Sequence, residues 1–179
     1  MRLFTPRLLI TDDDRDFRET VAGVFADRGL ETLQAADGEE ALELVKSHEI
    51  HLLLLDMQMP RLTGLELIER LRDPHLEVWQ LHADMSGQPA SHAPLVLRTM
   101  PARQNGDEPE WQAPPAAPAA ERRRFLPPWI LISGALDERL IERAKAADAF
   151  SVLPKPVRLP ELTGTVASAL ARAYNWYAS

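Results

Sequence analysis

The sequence contains no cysteine, which excludes disulfide bonds and metal sites built from thiolates. It has no apolar run of transmembrane length, and Pro6 and Arg7 interrupt the N-terminal segment before the apolar part of a secretory signal could form. Basic residues are in the minority, since 20 Lys and Arg oppose 27 Asp and Glu and give a net charge of −7. This balance argues against general binding to nucleic acids or anionic membranes. We therefore expect a cytoplasmic protein that binds neither nucleic acid directly nor a membrane.

What the chain does contain is an alternation of short apolar runs with stretches of helical periodicity. At 179 residues there is room for one domain with a sizeable core. Strands that alternate with helices in this way predict a parallel sheet with right-handed crossovers, and therefore a doubly wound α/β fold. The predicted strands are Leu8 to Ile10, Glu31 to Ala35, Ile50 to Leu55, Trp129 to Ser133 and Phe150 to Leu153, and the predicted helices follow Asp14, Asp37 and Gly64 or cover Leu136 to Ala147 and Leu159 to Leu170.

A long proline-rich segment separates the third helix from the fourth strand. Ten of the fifteen prolines lie between residues 74 and 128, and the interval is far too long for an ordinary connection. The predicted organisation is a single domain over residues 1–179, with a core of about residues 7–72 and 128–174 and an insertion over residues 73–127.

The insertion itself carries two weak strand signals. Leu76 to Leu81 and Pro94 to Arg98 could pair as a small β-hairpin, and the rest is expected to be partly disordered. Because the insertion joins the end of a helix to the start of a strand, we expect it to leave the sheet at the edge opposite Asp56.

Asp56 ends the most apolar strand of the sequence, in which four successive leucines leave no polar face. Such a strand is covered on both sides, and in parallel sheets ligands bind beyond the carboxyl ends of the strands. Asp12, Asp13, Ser133 and Lys155 also fall at the carboxyl ends of predicted strands, so we expect them to converge with Asp56 at one edge. Each of these residues alone could be a turn or helix-capping residue, and only their combination favours a site.

The expected convergence of carboxylates has an electrostatic consequence. Three carboxylates close together raise one another's pKa unless a cation lies between them. Oxygen ligands without histidine or cysteine favour Mg²⁺, which takes few carboxylates and keeps several waters. The sequence therefore predicts a magnesium site.

Several motifs make the chain similar to the receiver domain of two-component response regulators. The intervals of 43 residues from Asp13 to Asp56 and of 22 residues from Ser133 to Lys155 also look like those of the family. The resemblance covers the predicted core without the insertion, and it implies a flavodoxin-like five-stranded parallel sheet of order 2-1-3-4-5. The motifs are Ile10-Thr11-Asp12-Asp13-Asp14, Ala36-Asp37-Gly38-Glu39-Glu40-Ala41-Leu42, Leu55-Asp56-Met57-Gln58-Met59-Pro60 with Gly64 following, Leu131-Ile132-Ser133-Gly134 and Leu153-Pro154-Lys155-Pro156.

The resemblance implies a role for each acidic residue. Asp56 would be the phosphoacceptor, which attacks a phosphohistidine on a histidine kinase or a histidine phosphotransfer protein. Asp13, Asp56 and the backbone carbonyl of Gln58 would bind Mg²⁺, with Asp12 acting through water. Such a domain is not an enzyme beyond its own phosphorylation and dephosphorylation.

The resemblance also implies a switch. Lys155, expected to precede a cis proline, would pair with one phosphoryl oxygen, and the Ser133 hydroxyl would bind another as the conformational signal. The family often has an aromatic ring three residues before the lysine, but this chain has Val152, so switching is expected to differ. Phe150 is a candidate substitute for the ring because strand alternation would put it on the same side.

After the fifth strand about one helix remains, so we expect a stand-alone receiver without an output domain. The resemblance implies that it acts on a downstream protein through the face of the fourth helix, the fifth strand and the fifth helix. Trp176 and Tyr177 are expected to form a frayed tail.

Two other functions are open at this stage. A phosphatase of the haloacid dehalogenase type also uses an aspartyl nucleophile and Mg²⁺, but it has a second aspartate where this chain has Gln58, and it leaves Asp12 and Asp13 unexplained. The other is a receiver-like interaction module that works without phosphorylation, for which Val152 is the only indication.

Overall fold

The structure, a computed structural model, describes residues 5–73, 76 and 126–176. Within these residues it is a parallel sheet of five strands in the order β2-β1-β3-β4-β5, with helices between successive strands. The predicted doubly wound fold and strand order are confirmed. The elements are β1 (Arg7–Thr11), α1 (Arg15–Ala26), β2 (Glu31–Ala35), α2 (Gly38–Ser47), β3 (Leu52–Asp56), α3 (Gly64–Leu71), β4 (Trp129–Ser133), α4 (Glu138–Ala146), β5 (Ser151–Pro154) and α5 (Leu159–Tyr174).

Polar side chains set the starts of four helices. Asp14 caps α1, Asp37 caps α2 and Asp137 caps α4, each by accepting a backbone N–H of the first turn. Thr63 caps α3 in a capping box, in which the Glu66 side chain accepts the Thr63 N–H in return. These caps fix the residue at which each of the four helices begins.

The central strand β3 is buried along its whole length, as its leucine run predicts. Leu52 and Leu54 pack with α1 and α5 in one apolar layer, called here the first layer. Leu53 and Leu55 pack with α2, α3 and α4 in the second layer. Each fully buried leucine stabilises the fold by about 2 kcal/mol relative to an exposed one. Asp56, at the end of this strand, is therefore fixed by packing on both faces.

Two aromatic residues differ from the sequence expectation. Phe150 packs in the first layer, whereas Val152 packs against the second. The prediction that Phe150 substitutes for the missing ring is therefore wrong, because β5 begins at Ser151 and its alternation does not extend back to Phe150. Trp176, expected to be frayed, is partly buried against the first layer, and Tyr177 lies outside the described residues.

The residues that flank the insertion lie where the strands begin. Arg72, after α3, donates to the carbonyl of Ala147 at 2.7 Å and to the carboxylate of Asp148 at 3.1 Å. Leu76 and Leu126 pack against the second layer. The hairpin predicted for Leu76 to Leu81 and Pro94 to Arg98 lies outside the described residues, except for Leu76 itself. In the described part of the chain, no helix is long and apolar enough to cross a membrane.

Candidate functional site

Three carboxylates meet beyond the carboxyl ends of β1 and β3. Asp12 and Asp13 follow β1, and Asp56 is the last residue of β3. One oxygen of each lies within 4.8 Å of the other two, and we call this group the acidic cluster. Asp12 and Asp56 are buried, with 1% and 3% of their surface exposed, whereas Asp13 is exposed. The predicted convergence of these three residues is present in the structure.

Lys155 reaches the acidic cluster from the loop after β5. Its Nζ lies 2.8 Å from Oδ2 of Asp12 and 3.1 Å from Oδ2 of Asp56. The ammonium also lies 5.5 Å from the ring centroid of Phe17, on α1, within the range of a cation–π interaction. The peptide bond from Lys155 to Pro156 is cis, as predicted. The ammonium thus contacts two of the three carboxylates, and one positive charge cannot balance all three.

The ionisation of this site is shifted by burial and by the lysine. Burial raises the pKa of Asp56, and the charge of Asp12 raises it further, although the hydrogen bond from Lys155 opposes both. The backbone N–H of Gln58 also lowers the pKa of Asp56 by hydrogen bonding. Burial alone would lower the pKa of Lys155, but its hydrogen bonds to Asp12 and Asp56 outweigh burial and raise it.

One oxygen of Asp56 is left without a partner. Oδ1 is buried and accepts no hydrogen bond in the structure. A buried carboxylate oxygen without a partner is costly, and such atoms are usually ligands or reacting groups. Together with the three clustered carboxylates, this oxygen fits a hard divalent cation such as Mg²⁺.

Ser133 ends β4 next to Asp56 but does not contact the acidic cluster by a hydrogen bond. Its hydroxyl donates to the Ala135 carbonyl at 3.1 Å and accepts the Ala135 N–H at 3.2 Å. Ser133 is 1% exposed, so these bonds satisfy a buried hydroxyl. For Ser133 to donate to a phosphoryl oxygen, its bond to the Ala135 carbonyl would have to break, because a hydroxyl has only one hydrogen to donate.

Gly64 begins α3 directly beneath the site. A Cβ atom at this position would lie 2.6 Å from the backbone oxygen of Asp56 and 3.0 Å from Cδ1 of Leu131. The close approach of α3 to β3 therefore requires glycine here.

Three residues around the site were not found from the sequence. Phe17 lies against Lys155, Arg18 donates to the Asp12 carbonyl at 2.6 Å, and Arg61 forms an ion pair with Asp37. Phe17 and Arg18 lie one helical turn beyond Asp12, so a search for first-turn residues of α1 would have found them. No local pattern marks Arg61.

The acidic residues after β1 and β3 and the lysine after β5 thus lie at the edge where ligands bind in doubly wound sheets. Residues 8–91 match the sequence profile of the response regulator receiver domain. Among similar curated proteins, a response regulator receiver protein of Anaeromyxobacter sp. is 46% identical over 66 residues, which cover 37% of this chain and 28% of that protein. Response regulator RR06 of Streptococcus pneumoniae is 35% identical over 68 residues, which cover 38% of this chain and 31% of that protein.

Solved structures extend the likeness across the second half of the fold. A CheY-like receiver domain protein from Methanospirillum hungatei has a TM-score of 0.62 at 18% identity, covering 94% of this chain and 96% of that one. CheY4, a chemotaxis protein of Vibrio cholerae, has a TM-score of 0.62 at 19% identity, covering 93% of this chain and 100% of that one. At such identities the structures show the fold alone. Residues 8–91 are thus similar in sequence to the response regulator receiver domain, and the match spans about a third or less of the curated relatives' length.

Proposed function

We propose that this receiver domain accepts a phosphoryl group on Asp56 from the phosphohistidine of a histidine kinase or a histidine phosphotransfer protein. The observation that carries the proposal is the Oδ1 atom of Asp56, which is buried, without a hydrogen-bond partner, and part of the acidic cluster. In the transfer, a carboxylate oxygen of Asp56 attacks phosphorus while the bond from phosphorus to the histidine nitrogen breaks. The imidazole leaves, and an aspartyl phosphate forms.

Phosphoryl transfer depends on positioning and on neutralising the charge of the phosphoryl oxygens. Asp13, Asp56 and the Gln58 carbonyl would hold Mg²⁺, with Asp12 acting through water. The ion would supply positive charge at the phosphoryl oxygens. Asp12 and Asp13 would otherwise repel the incoming group, so the acidic cluster makes the reaction depend on a cation.

Lys155 and Ser133 would respond to the phosphoryl group. Lys155 now bridges Asp12 and Asp56, and it would transfer one of these contacts to a phosphoryl oxygen. Ser133 would donate to another oxygen after releasing the Ala135 carbonyl. Because Val152 offers no ring that could move with Ser133, we expect the change to act mainly on the residues between β4 and α4.

The proposed output is a protein contact on the face of α4, β5 and α5. Among the described residues, the large hydrophobic side chains left exposed are Leu136, two residues before α4, and Leu159, the first residue of α5. A pull-down that compares beryllofluoride-treated with untreated protein would identify the partner. We also propose that the domain works in the cytoplasm, where histidine kinases present their phosphohistidine.

The proposal is tested by phosphorylation with acetyl phosphate and intact-mass measurement. We expect the wild type to gain one phosphoryl group only with Mg²⁺, and Asp56→Asn to gain none. Asp14→Asn is the matched control, because Asp14 is exposed, lies outside the acidic cluster, and can cap α1 as asparagine. An adduct that persists in Asp56→Asn would contradict the acceptor assignment.

The same experiment separates the alternatives. A folded wild type that gains no phosphoryl group from acetyl phosphate or a kinase would favour an interaction module that works without phosphorylation. Continuous release of phosphate from unrelated phosphate esters would favour a phosphatase.

A further inference from the structure

Residues 57–63, the β3–α3 loop, are joined to the start of α2 by an ion pair. The guanidinium of Arg61 contacts the carboxylate of Asp37 and lies 3.5 Å from that of Glu39. The Arg61 side chain is 58% exposed, whereas that of Asp37 is 6% exposed. The arginine therefore covers a buried carboxylate on a neighbouring element.

Both oxygens of Asp37 are used. Oδ1 accepts the backbone N–H groups of Glu39 and Glu40 at 2.9 and 3.0 Å, which caps α2, and Oδ2 faces Arg61. Removing the guanidinium would leave a buried carboxylate with its charge uncompensated.

The backbone of Arg61 adds a second reason to assign it a role. Its φ is 67°, in the left-handed region, which is unfavourable for a residue with a Cβ and free of cost for glycine. The chain has an arginine where glycine would suit the backbone better, so the side chain contributes something that glycine would not.

Packing fixes the same loop against α2. A Cβ added to Gly38 would lie 2.7 Å from Cβ of Leu62 and 2.8 Å from its carbonyl oxygen. Leu62 itself is 3% exposed. The loop therefore cannot shift at Arg61 and Leu62 without changing its contact with α2.

The loop also borders the acidic cluster. The Met57 N–H donates to the Ile132 carbonyl at 2.8 Å, and the Gly64 N–H reaches the Met57 carbonyl at 3.4 Å. Between these bonds and Arg61 lies Gln58, two residues after Asp56, and its backbone N–H lowers the pKa of the Asp56 carboxyl. A displacement of the loop would therefore move the peptide groups of Gln58 relative to Asp56.

We propose that Arg61 and Asp37 form a positioning pair, which holds the β3–α3 loop so that the Gln58 backbone faces Asp56, and which thereby sets the Mg²⁺ affinity of the acidic cluster. The inference rests on the proposed function. Neither residue touches the reacting atoms.

The test compares Mg²⁺ affinity in three variants, measured by competition with Mn²⁺ in electron paramagnetic resonance. Arg61→Gly removes the guanidinium and suits the left-handed backbone, whereas Asp37→Asn removes the charge and keeps a capping oxygen. Each is expected to weaken Mg²⁺ binding about tenfold, as supporting residues of metal sites commonly do. Arg61→Lys keeps the charge and is expected to recover most of the affinity.

Glu31→Gln is the matched control, because it removes the ion pair with Arg7 at the opposite edge of the sheet and should leave Mg²⁺ affinity unchanged. The double variant Arg61→Gly with Asp37→Asn should lose no more affinity than either single variant, since the two residues act as a pair. If Asp37→Asn does not fold, the two Arg61 variants decide.

Variants that unfold more easily in urea but bind Mg²⁺ like the wild type would overturn the inference, because the pair would then be structural only.

Phosphorylation of the wild type is measured by mass in parallel. A wild type that binds Mg²⁺ but is not phosphorylated contradicts the proposed function alone, and a wild type that does not bind Mg²⁺ overturns both.

Discussion

Replacing Gly64 with alanine tests whether close packing beneath Asp56 is required. The new Cβ would lie 2.6 Å from the backbone oxygen of Asp56, 3.3 Å from its carbonyl carbon and 3.0 Å from Cδ1 of Leu131. The leucine side chain can rotate, but the Asp56 backbone cannot move easily because β3 is paired with β1 and β4. The start of α3 must therefore move away from the sheet.

The expected cost follows from two opposing effects. Forcing an extra methyl group into a packed interior costs about 1 to 3 kcal/mol. Alanine favours the helix over glycine by up to about 1 kcal/mol, and less in the first turn. We expect Gly64→Ala to lower the free energy of unfolding by about 1 to 2 kcal/mol and to slow phosphorylation of Asp56.

The matched control is Gly23→Ala in α1. A Cβ at Gly23 would meet no atom within 4 Å, so only the helix preference acts. This variant should raise the free energy of unfolding by about 0.5 to 1 kcal/mol.

Both variants are measured by urea unfolding followed by circular dichroism. Equal stability of Gly64→Ala and the wild type, with unchanged phosphorylation, would refute the packing argument. So would a loss of stability in Gly23→Ala that matches the loss in Gly64→Ala, because the effect would then belong to glycine in general.

Three further predictions concern residues elsewhere. Burial lowers the pKa of His51, aided by Arg7 and opposed by Glu49, so the folded state keeps the ring neutral at a pH where the unfolded state binds a proton. The stability that neutral His51 contributes is complete above about pH 6.5 and declines as the pH falls below that value. Urea unfolding between about pH 7.5 and pH 5.5 should therefore show a free energy of unfolding that falls with pH, and His51→Gln should reduce the slope of this fall. Equal slopes in the wild type and in His51→Gln would contradict the prediction. Lys155→Met should reduce phosphorylation of Asp56 about a hundredfold, measured by mass against time, and a rate like that of the wild type would exclude the lysine from the reaction. Deleting residues 84–121 should leave phosphorylation of Asp56 nearly unchanged. The flanking residues Arg72 and Leu126 lie where the strands begin, at the edge opposite Asp56. A folded deletion variant that accepts no phosphoryl group would contradict the prediction.

The sequence predicts the strands and the edge of the site well because both follow from regular geometry. The apolar runs at β1 and β4 match the observed strands closely, and parallel strands bring Asp12, Asp56 and Lys155 to one edge whatever the loops do. The family resemblance alone predicts the cis bond before Pro156.

Errors arise where a pattern is extended past the end of an element. Alternation along β5 predicts one side for Phe150 and Val152, but the strand begins between them, and the two side chains pack in different layers. At Trp176, too, the local pattern does not predict packing beyond the end of an element. This residue lies after the last residue of α5, Tyr174, yet its side chain packs against the first layer.

The contact between Arg61 and Asp37 cannot be predicted from the sequence without the fold. Nothing near Arg61 in the sequence distinguishes this arginine from an exposed loop residue, and the sequence around its partner Asp37 predicts only a helix cap. The pair exists because the end of β3 and the start of α2 meet at the same edge of the sheet, so that a loop and a helix cap far apart in sequence come within contact distance.

The left-handed backbone at Arg61 favours glycine, so the ion pair with Asp37 must offset the conformational cost of having arginine there. Once Asp37 is replaced, Arg61→Gly should therefore raise the free energy of unfolding. Urea unfolding of Asp37→Asn with and without Arg61→Gly measures this directly, and a further loss of stability in the double variant would show that Arg61 stabilises the loop by contacts other than Asp37.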